Sequence, residues 1–292
     1  MKRSIAILFA AVLVLSGLGS PTAASAEASS DSPVLSRIVS SDTLRVGMSG
    51  NQPPLNFKGK DGTLMGLEVD LATTLAGLMG VKLEIVQKPF GELLGALQKG
   101  EVDLVMSGMT ITAERNLRVA FVGPYYLSGK SILTRSSSLA QADDPGDLDQ
   151  ADLKLAALEG STSQNFVELL MPKAKLVTTK DYDEAVKLVL ADEVQALVAD
   201  HEIVQLTALL HPRESLVTLA RPLTIEPIGI AVPPGDALLL NFLENTLGAL
   251  EAGEILGMLR SRWLQQGDCC LLYTSPSPRD QRPNLVCRLL LE

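Results

Sequence analysis

Short apolar runs alternate with helical repeats along most of the chain. A strand is predicted at 44–48, and the helix after it, at 68–79, places Leu71, Leu75 and Leu78 on one face. Further strands are predicted at 82–86, 103–106, 155–158, 175–178, 196–199 and 228–232, and further helices at 90–99, 163–170, 181–191, 236–251 and 254–264. Strands that alternate with helices are typical of an α/β fold with largely parallel sheets.

An internal similarity indicates two related halves. Residues 90–108 can be aligned with residues 182–200. Each segment has an aromatic residue, a helix, a tight turn before Glu-Val, and a buried strand that ends in a small or polar residue. Both segments end at the carboxyl edge of a strand, where open α/β sheets bind ligands. The alternative is a chance match between two ordinary helix–strand units.

The N-terminus has the pattern of a secretory signal. Lys2 and Arg3 precede an apolar run at 5–18, and small residues follow at 24–26. The run is short for a membrane span, so a retained anchor is the less favoured alternative. We expect residues 1–26 to be a signal peptide and the protein to be soluble in the periplasm.

The C-terminus differs from the body of the chain. Residues 269–292 show neither the apolar periodicity of a helix nor that of a strand. They contain the three cysteines of the chain, Cys269, Cys270 and Cys287. This segment resembles translated vector sequence, and we interpret it as a non-native or disordered tail. A disulfide or a metal clip is the alternative.

Composition excludes several classes of partner. The chain has 25 Lys and Arg against 34 Asp and Glu, a net charge of −9, and only 4% aromatic residues. Nucleic acid is therefore not expected, because phosphate binding needs a basic surface and base stacking needs aromatic rings. With two histidines and no cysteine before the tail, we expect no metal site and no cofactor.

The segment 107–115 is the first candidate site. It follows a predicted buried strand and opens a short helix, so backbone N–H groups there can bind an anion. Thr110 adds a hydroxyl donor, and Arg115 carries a guanidinium that can bind a carboxylate through two hydrogen bonds. A surface arginine beside helix-capping threonines is the structural alternative.

The second candidate site combines the turn at 158–163 with Asp200. The turn repeats the strand-to-helix arrangement with small hydroxyl residues, and Leu158, Thr162 and Ser163 are candidate ligand-binding residues within it. Asp200 follows an apolar strand and can accept an ammonium group, or else cap the helix that follows. A carboxylate site together with an ammonium site describes a zwitterionic amino acid.

Three other patterns are set aside. Residues 123–131 nearly match a phosphate-binding loop, but the spacing is one residue too long and a strand follows, so we interpret them as a hinge. His201 and His211 are expected to be structural or solvent-facing. The aspartates at 143–152 do not have calcium-loop spacing, and we interpret them as a solvated connector.

Several motifs, taken together, resemble the bacterial extracellular solute-binding proteins of family 3, which are the periplasmic polar-amino-acid receptors of ABC importers. The resemblance runs from about 42 to 263. The motifs are Leu44-Arg45-Val46-Gly47-Met48, Pro53-Pro54, Gly66-Leu67-Glu68-Val69-Asp70-Leu71, Val102-Asp103-Leu104, Ser107-Gly108-Met109-Thr110-Ile111-Thr112, Pro124-Tyr125-Tyr126, Gly160-Ser161-Thr162, Val198-Ala199-Asp200 and Glu226-Pro227-Ile228-Gly229-Ile230-Ala231.

The resemblance implies a two-lobed periplasmic-binding-protein fold of type II. Each lobe is expected to be a mixed, mostly parallel sheet flanked by helices, with lobe 1 at 42–128 plus 227–264 and lobe 2 at 129–226. Two crossing strands would join the lobes, which would close over the ligand.

The resemblance also implies roles for individual residues. Arg115 and Thr110, with Thr162 from lobe 2, would hold the ligand carboxylate. The ammonium group would be bound by Asp200 and by the carbonyl or hydroxyl groups of Ser107 and Gly108. Phe90 would pack against the ligand side chain.

Departures from the family pattern bear on the ligand side chain. Gln52 stands where relatives often carry an aromatic residue, and Leu55 replaces a frequent phenylalanine. Ser49 stands where receptors for basic amino acids carry an acidic residue. We therefore include Ser49 and Gln52 among the ligand-binding candidates and favour a polar or neutral ligand.

The expected function is that of a monomeric, non-enzymatic receptor with no catalytic residues. It would capture a free amino acid and deliver it to an ABC permease at the inner membrane. The runner-up is an exported enzyme on the same scaffold, such as a cyclohexadienyl dehydratase acting on prephenate or arogenate, with Glu159 as the nearest acid. A sensor domain is a third possibility, but no membrane segment follows the predicted signal.

Overall fold

The structure is a computed structural model that describes residues 32–59 and 61–265. The first part of the chain forms α1 (Pro33–Ser41), β1 (Thr43–Met48), β2 (Asn51–Gln52), β3 (Asn56–Lys58), β4 (Leu64–Met65), α2 (Leu67–Met79), β5 (Lys82–Gln87), α3 (Leu93–Gln98), β6 (Leu104–Val105), α4 (Ala113–Asn116) and β7 (Ala120–Ser128). The middle part forms β8 (Lys130–Thr134), β9 (Lys154–Leu158), α5 (Thr162–Leu170), β10 (Lys175–Thr179), α6 (Tyr182–Leu190), β11 (Ala196–Asp200), α7 (His201–Leu210) and β12 (Val217–Thr218). The chain then returns through β13 (Glu226–Val232), α8 (Ala237–Ala252) and α9 (Ile255–Arg260).

Each lobe is built on a mixed five-stranded sheet. The first sheet has the strand order β5-β1-β6-β13-β7, in which β5, β1 and β6 are parallel and β13 is antiparallel to both of its neighbours. The second has the order β10-β9-β11-β8-β12, in which β8 is antiparallel to β11 and β12. The expected fold class is therefore confirmed. The lobe boundaries stay a prediction, and the predicted signal peptide and tail lie outside the described residues.

The aligned segments 90–108 and 182–200 occupy equivalent places. The strand of each, β6 or β11, is the central strand of its sheet. The turn before each strand contains a left-handed residue, Gly100 with φ 70° and Asp192 with φ 54°. The leading aromatics, Phe90 and Tyr182, lie in one buried apolar cluster that contains residues of both sheets. The two cores are thus continuous across the cleft between the lobes.

Most predicted elements are present with ends shifted by a few residues, and the differences have local causes. The helix predicted at 90–99 begins as a 3₁₀ turn at Phe90–Glu92. The last predicted helix, at 254–264, consists of α9 followed by a π-helical turn. Strand β7 was missed because Gly123-Pro124 interrupts its apolar pattern. The Asp181 side chain caps α6 by accepting from the Glu184 N–H, and the Glu184 carboxylate accepts from the Lys180 N–H.

The chain crosses between the lobes twice, and the two crossings lie side by side. Ser128 pairs with Glu226 in the β7–β13 ladder. The Lys130 N–H donates to Thr224 Oγ1 at 2.8 Å, and the Leu223 N–H donates to the Lys130 carbonyl at 2.7 Å. At Gly129 a Cβ atom would lie 2.0 Å from the Thr224 carbonyl oxygen, so this close approach requires glycine.

Within residues 32–59 and 61–265, no helix is long and apolar enough to cross a membrane.

Candidate ligand-binding cleft

Arg115 lies buried where the two lobes meet. Its N–H donates to the capping hydroxyl of Thr112 at the start of α4. The guanidinium donates to the Thr110 carbonyl at 2.9 Å and, across the cleft, to the Gly160 carbonyl at 3.2 Å. It also lies 5.8 Å from the centre of the Phe90 ring. The surface alternative is therefore wrong.

The electrostatic surroundings of Arg115 favour an anion. Burial lowers the pKa of its guanidinium, because desolvation penalises the charged form. In the described part of the chain, no carboxylate forms an ion pair with this side chain. A buried cation that donates only to carbonyl groups can bind a ligand carboxylate through charge-assisted hydrogen bonds.

Two hydroxyl groups connect the lobes beside Arg115. Thr110 Oγ1 lies 3.2 Å from Thr162 Oγ1, the first residue of α5. Thr162 donates its hydroxyl to Glu226 Oε2 at 3.1 Å, so the proton shared between the threonines comes from Thr110. The predicted carboxylate-binding residues Arg115, Thr110 and Thr162 therefore lie together, and Ser163 is buried in the same helical turn.

Asp200 has a partner within the chain. It precedes α7 at the N-cap position, but its side chain makes no capping hydrogen bond. Instead its carboxylate accepts from the Lys130 ammonium group, and both side chains are buried. Lys130 Nζ also lies 3.3 Å from Glu226 Oε2. Asp200, the predicted ammonium acceptor, is thus one of two carboxylates that contact the ammonium group of Lys130.

The loop at Ser107 and Gly108 is held by polar side chains of lobe 1. Ser107 Oγ donates to Gln52 Oε1 at 2.6 Å and accepts from the Ser49 N–H at 3.0 Å. The Gly108 N–H donates to Glu68 Oε1 at 2.6 Å. Gly108 has φ 57°, a conformation that favours glycine.

Glu68 supports this loop from behind. The carboxylate is fully buried and accepts hydrogen bonds from Tyr125 and Asn56 as well as from Gly108. Burial raises its pKa, and these hydrogen bonds partly oppose the rise. Sequence reasoning included Glu68 in a family motif but did not assign it to the site, because its contacts come from three distant segments.

The apolar side of the cleft contains Phe90, Leu158 and Tyr182. All three are buried in the same cluster, which places Leu158 in the core beneath the turn. Helix α6, which begins at Tyr182, packs beside strand β2, which carries Gln52 of the other lobe. Gln52 therefore lies close to lobe 2, a proximity that sequence reasoning did not foresee.

Sequence reasoning also missed Lys130, Glu226 and Glu202. Lys130 and Glu226 are single charged residues beside apolar strands, and that isolation was the available signal, whereas Glu202 lies two residues after Asp200. Glu202 Oε2 accepts from Ser128 Oγ at 2.6 Å, whereas Glu202 Oε1 is buried without a hydrogen-bond partner among the described residues. Burial and the neighbouring Asp200 raise the pKa of Glu202 to about 8.

With this geometry in place, the comparisons with known proteins agree on one family. The sequence profile of the bacterial extracellular solute-binding proteins, family 3, matches residues 44–266. The chain belongs to this family.

Relatives within the family differ in function. The cyclohexadienyl dehydratase of Pseudomonas aeruginosa is 25% identical over 242 residues, which is 83% of this chain and 90% of that protein. A solved ancestral amino acid-binding protein, a precursor of cyclohexadienyl dehydratase, is 35% identical with a TM-score of 0.73 and covers 79% of this chain and 99% of its own. An ancestral arginine-binding protein bound to glutamine is 30% identical with a TM-score of 0.71. The match covers 76% of this chain and 97% of that protein. Both binding proteins and an enzyme thus share this scaffold.

Proposed function

We propose that this protein is an amino-acid receptor of an ABC importer. It binds one free amino acid between its lobes and presents it to a membrane permease. The observation that carries this proposal is the buried Arg115 guanidinium, which contacts both lobes and forms no ion pair with a described carboxylate. Such a group is suited to a carboxylate that enters from outside the chain.

The charges of the cleft fit a zwitterion. Asp200 and Glu226 share one cation, Lys130, which leaves an excess negative charge in that cluster. Arg115, which forms no ion pair with a described carboxylate, contributes a positive charge beside it. The hydroxyls of Thr110 and Thr162 connect the two groups. An α-amino acid places a carboxylate and an ammonium group on one carbon, so it neutralises both sides at once.

This arrangement supports the following residue roles. Arg115, Thr110 and Thr162 hold the ligand carboxylate, and Asp200 holds the ammonium group with help from Ser107 and Gly108. Because these residues belong to both lobes, the bound ligand bridges them and shifts the open–closed equilibrium toward the closed form.

A polar or neutral side chain suits the rest of the cleft. Ser49, Gln52 and Phe90 carry no charge, and the nearby Glu68 already accepts three hydrogen bonds from the chain. A basic side chain would therefore meet no free carboxylate there. We further propose that residues 1–26 direct export to the periplasm and that the receptor acts as a monomer, with lobe boundaries at 129 and 226.

Calorimetric titration with the proteinogenic amino acids tests the proposal. Arg115→Ala should lower the affinity by about 100-fold or more, because a buried charge-assisted contact is lost. Arg115→Lys should recover only part of the affinity, because an ammonium group cannot form two parallel hydrogen bonds. Arg118→Ala is the matched control, since Arg118 is exposed and pairs only with Glu114 among the described residues. Equal affinity for Arg115→Ala and the wild type would refute the carboxylate assignment.

The relationship to cyclohexadienyl dehydratase supports a second candidate function, a dehydratase of small carboxylic acids. That reaction needs an acid close to the bound substrate. Glu159, the candidate from sequence, is exposed at the cleft edge and is not held in place by a described hydrogen bond of its carboxylate. Incubation with prephenate and with arogenate, followed by product chromatography, distinguishes the two functions. Turnover would favour the enzyme, and a thermal shift without product would favour the receptor.

A further inference from the structure

The buried charge cluster at the hinge contains more groups than an ammonium site requires. Lys130 lies at the first crossing between the lobes and Glu226 at the second, whereas Asp200 ends the central strand of lobe 2. Lys130 is only 1% exposed, and its ammonium group contacts both carboxylates. Thr224 ties the crossings together, because it accepts from the Lys130 N–H and lies 3.5 Å from Glu226 Oε1.

Glu226 lies beside the carboxylate subsite as well as beside Asp200. Its Oε2 atom accepts from Thr162, whose hydroxyl in turn contacts Thr110 next to Arg115. The carboxylate and ammonium groups of an amino acid share one carbon, so their subsites must be adjacent. Glu226 is adjacent to the carboxylate subsite in this sense, because only the Thr162 hydroxyl lies between Glu226 and Thr110.

Charge determines what the cluster can accept. Two carboxylates around one lysine leave this cluster with one negative charge in excess, and an excess buried charge is costly. Arg115 is the nearby cation that interacts with both carboxylates, but it is assigned to the ligand carboxylate. One additional monovalent cation balances the set. A second cation would introduce the reverse imbalance.

We propose that Glu226 is a second carboxylate of the ammonium subsite and that Lys130 is a built-in cation limiting this subsite to one ligand ammonium group. Lys130 and Glu226 thereby determine how strongly the receptor discriminates an amino acid from the α-hydroxy acid with the same side chain. This inference rests on the proposed receptor function.

The test compares three net charges of the cluster. Lys130→Met removes the built-in cation, Glu226→Gln removes one carboxylate, and the double variant restores the original excess of one negative charge. Lys130→Arg is the control that retains the charge. Glutamine at 226 keeps an oxygen that can accept from Thr162.

The probes are the L-amino acid that binds most tightly in the calorimetric screen and its α-hydroxy acid, such as L-lactate for L-alanine or L-malate for L-aspartate. The measured quantity is the ratio of their dissociation constants. Lys130→Met should increase the preference for the amino acid by about tenfold or more, and Glu226→Gln should decrease it by about tenfold or more. The double variant should return to within about threefold of the wild type.

Other outcomes overturn the inference. If both single variants weaken the amino acid and the hydroxy acid equally, the cluster only maintains the fold. If the double variant does not restore the preference, net charge is not the determinant. Circular dichroism and thermal melting of each variant separate a folding defect from a change in selectivity. If no amino acid binds the wild type, the proposed function itself fails, which is a different result from an unchanged ratio.

Discussion

The buried carboxyl of Glu202 predicts a specific loss of stability as the pH rises. Its side chain accepts from Ser128 at the hinge, and it faces Asp200 and Lys130 of lobe 2 and Tyr126 of β7. The pKa is raised from an ordinary 4.5 to about 8 in the folded protein. The folded state therefore holds this proton over a pH range in which the unfolded chain has released it.

The sign of the effect follows from proton linkage. Where the native state binds more protons than the unfolded state, the free energy of unfolding falls as pH rises. The contribution of Glu202 should be fully present below about pH 4.5 and should be lost as the pH rises through its folded value of about 8. Between about pH 5.5 and pH 8.5 the expected loss is roughly 3 kcal/mol, as an order of magnitude.

Replacement by glutamine isolates this contribution. Glu202→Gln keeps the oxygen that accepts from Ser128 but cannot ionise. Urea unfolding at about pH 5.5, 7 and 8.5 should show a smaller decline for this variant than for the wild type, by roughly 3 kcal/mol over the range. Glu193→Gln serves as the control, because Glu193 is exposed in the same lobe.

Parallel pH profiles for Glu202→Gln and the wild type would refute the reasoning. They would mean that the folded carboxyl ionises at an ordinary pH. The difference between the two proteins is the relevant quantity, because burial also raises the pKa of Glu68 and that contribution is common to both.

Two further predictions concern the backbone at Gly108 and the contact between Asp70 and Trp263. Gly108→Ala should lower the free energy of unfolding by about 1–2 kcal/mol in urea titrations, because Gly108 has φ 57° and a Cβ would lie 3.2 Å from Leu55 Cδ1; an unchanged midpoint would contradict this. Asp70→Asn should weaken the contact with Trp263 Nε1, now 2.8 Å long, costing about 1 kcal/mol. Trp263 is the single tryptophan, so its fluorescence should shift; an identical emission spectrum would count against the contact.

Elements that are specified by their own local sequence pattern were predicted better than elements that depend on pairing with a distant segment. Helix α2 was predicted well because Leu71 and Leu75 repeat on one buried face. Strand β7 was not, since Pro124 breaks its pattern and only pairing with β13 defines it. The internal similarity was informative because its two turns need the same left-handed conformation at Gly100 and Asp192.

The candidate site shows the same limit. Arg115 and Asp200 could be proposed from sequence because each follows a recognisable strand. Their partners could not, because the contacts of Lys130 with Asp200 and Glu226 join residues far apart in the chain. Long-range pairing of buried charges depends on the folded topology, and no local pattern encodes it.

Direct contacts between the lobes have a kinetic consequence. The contacts of Thr110 with Thr162 and of Arg115 with Gly160 both favour closure through the chain's own atoms. Because Arg115 is buried in this arrangement, we expect a solute to reach it only after these contacts separate. The observed association rate should therefore stop rising at high solute concentration and level off at the rate of lobe opening. Cleft opening, rather than diffusion, would then set the fastest rate at which this receptor can be loaded.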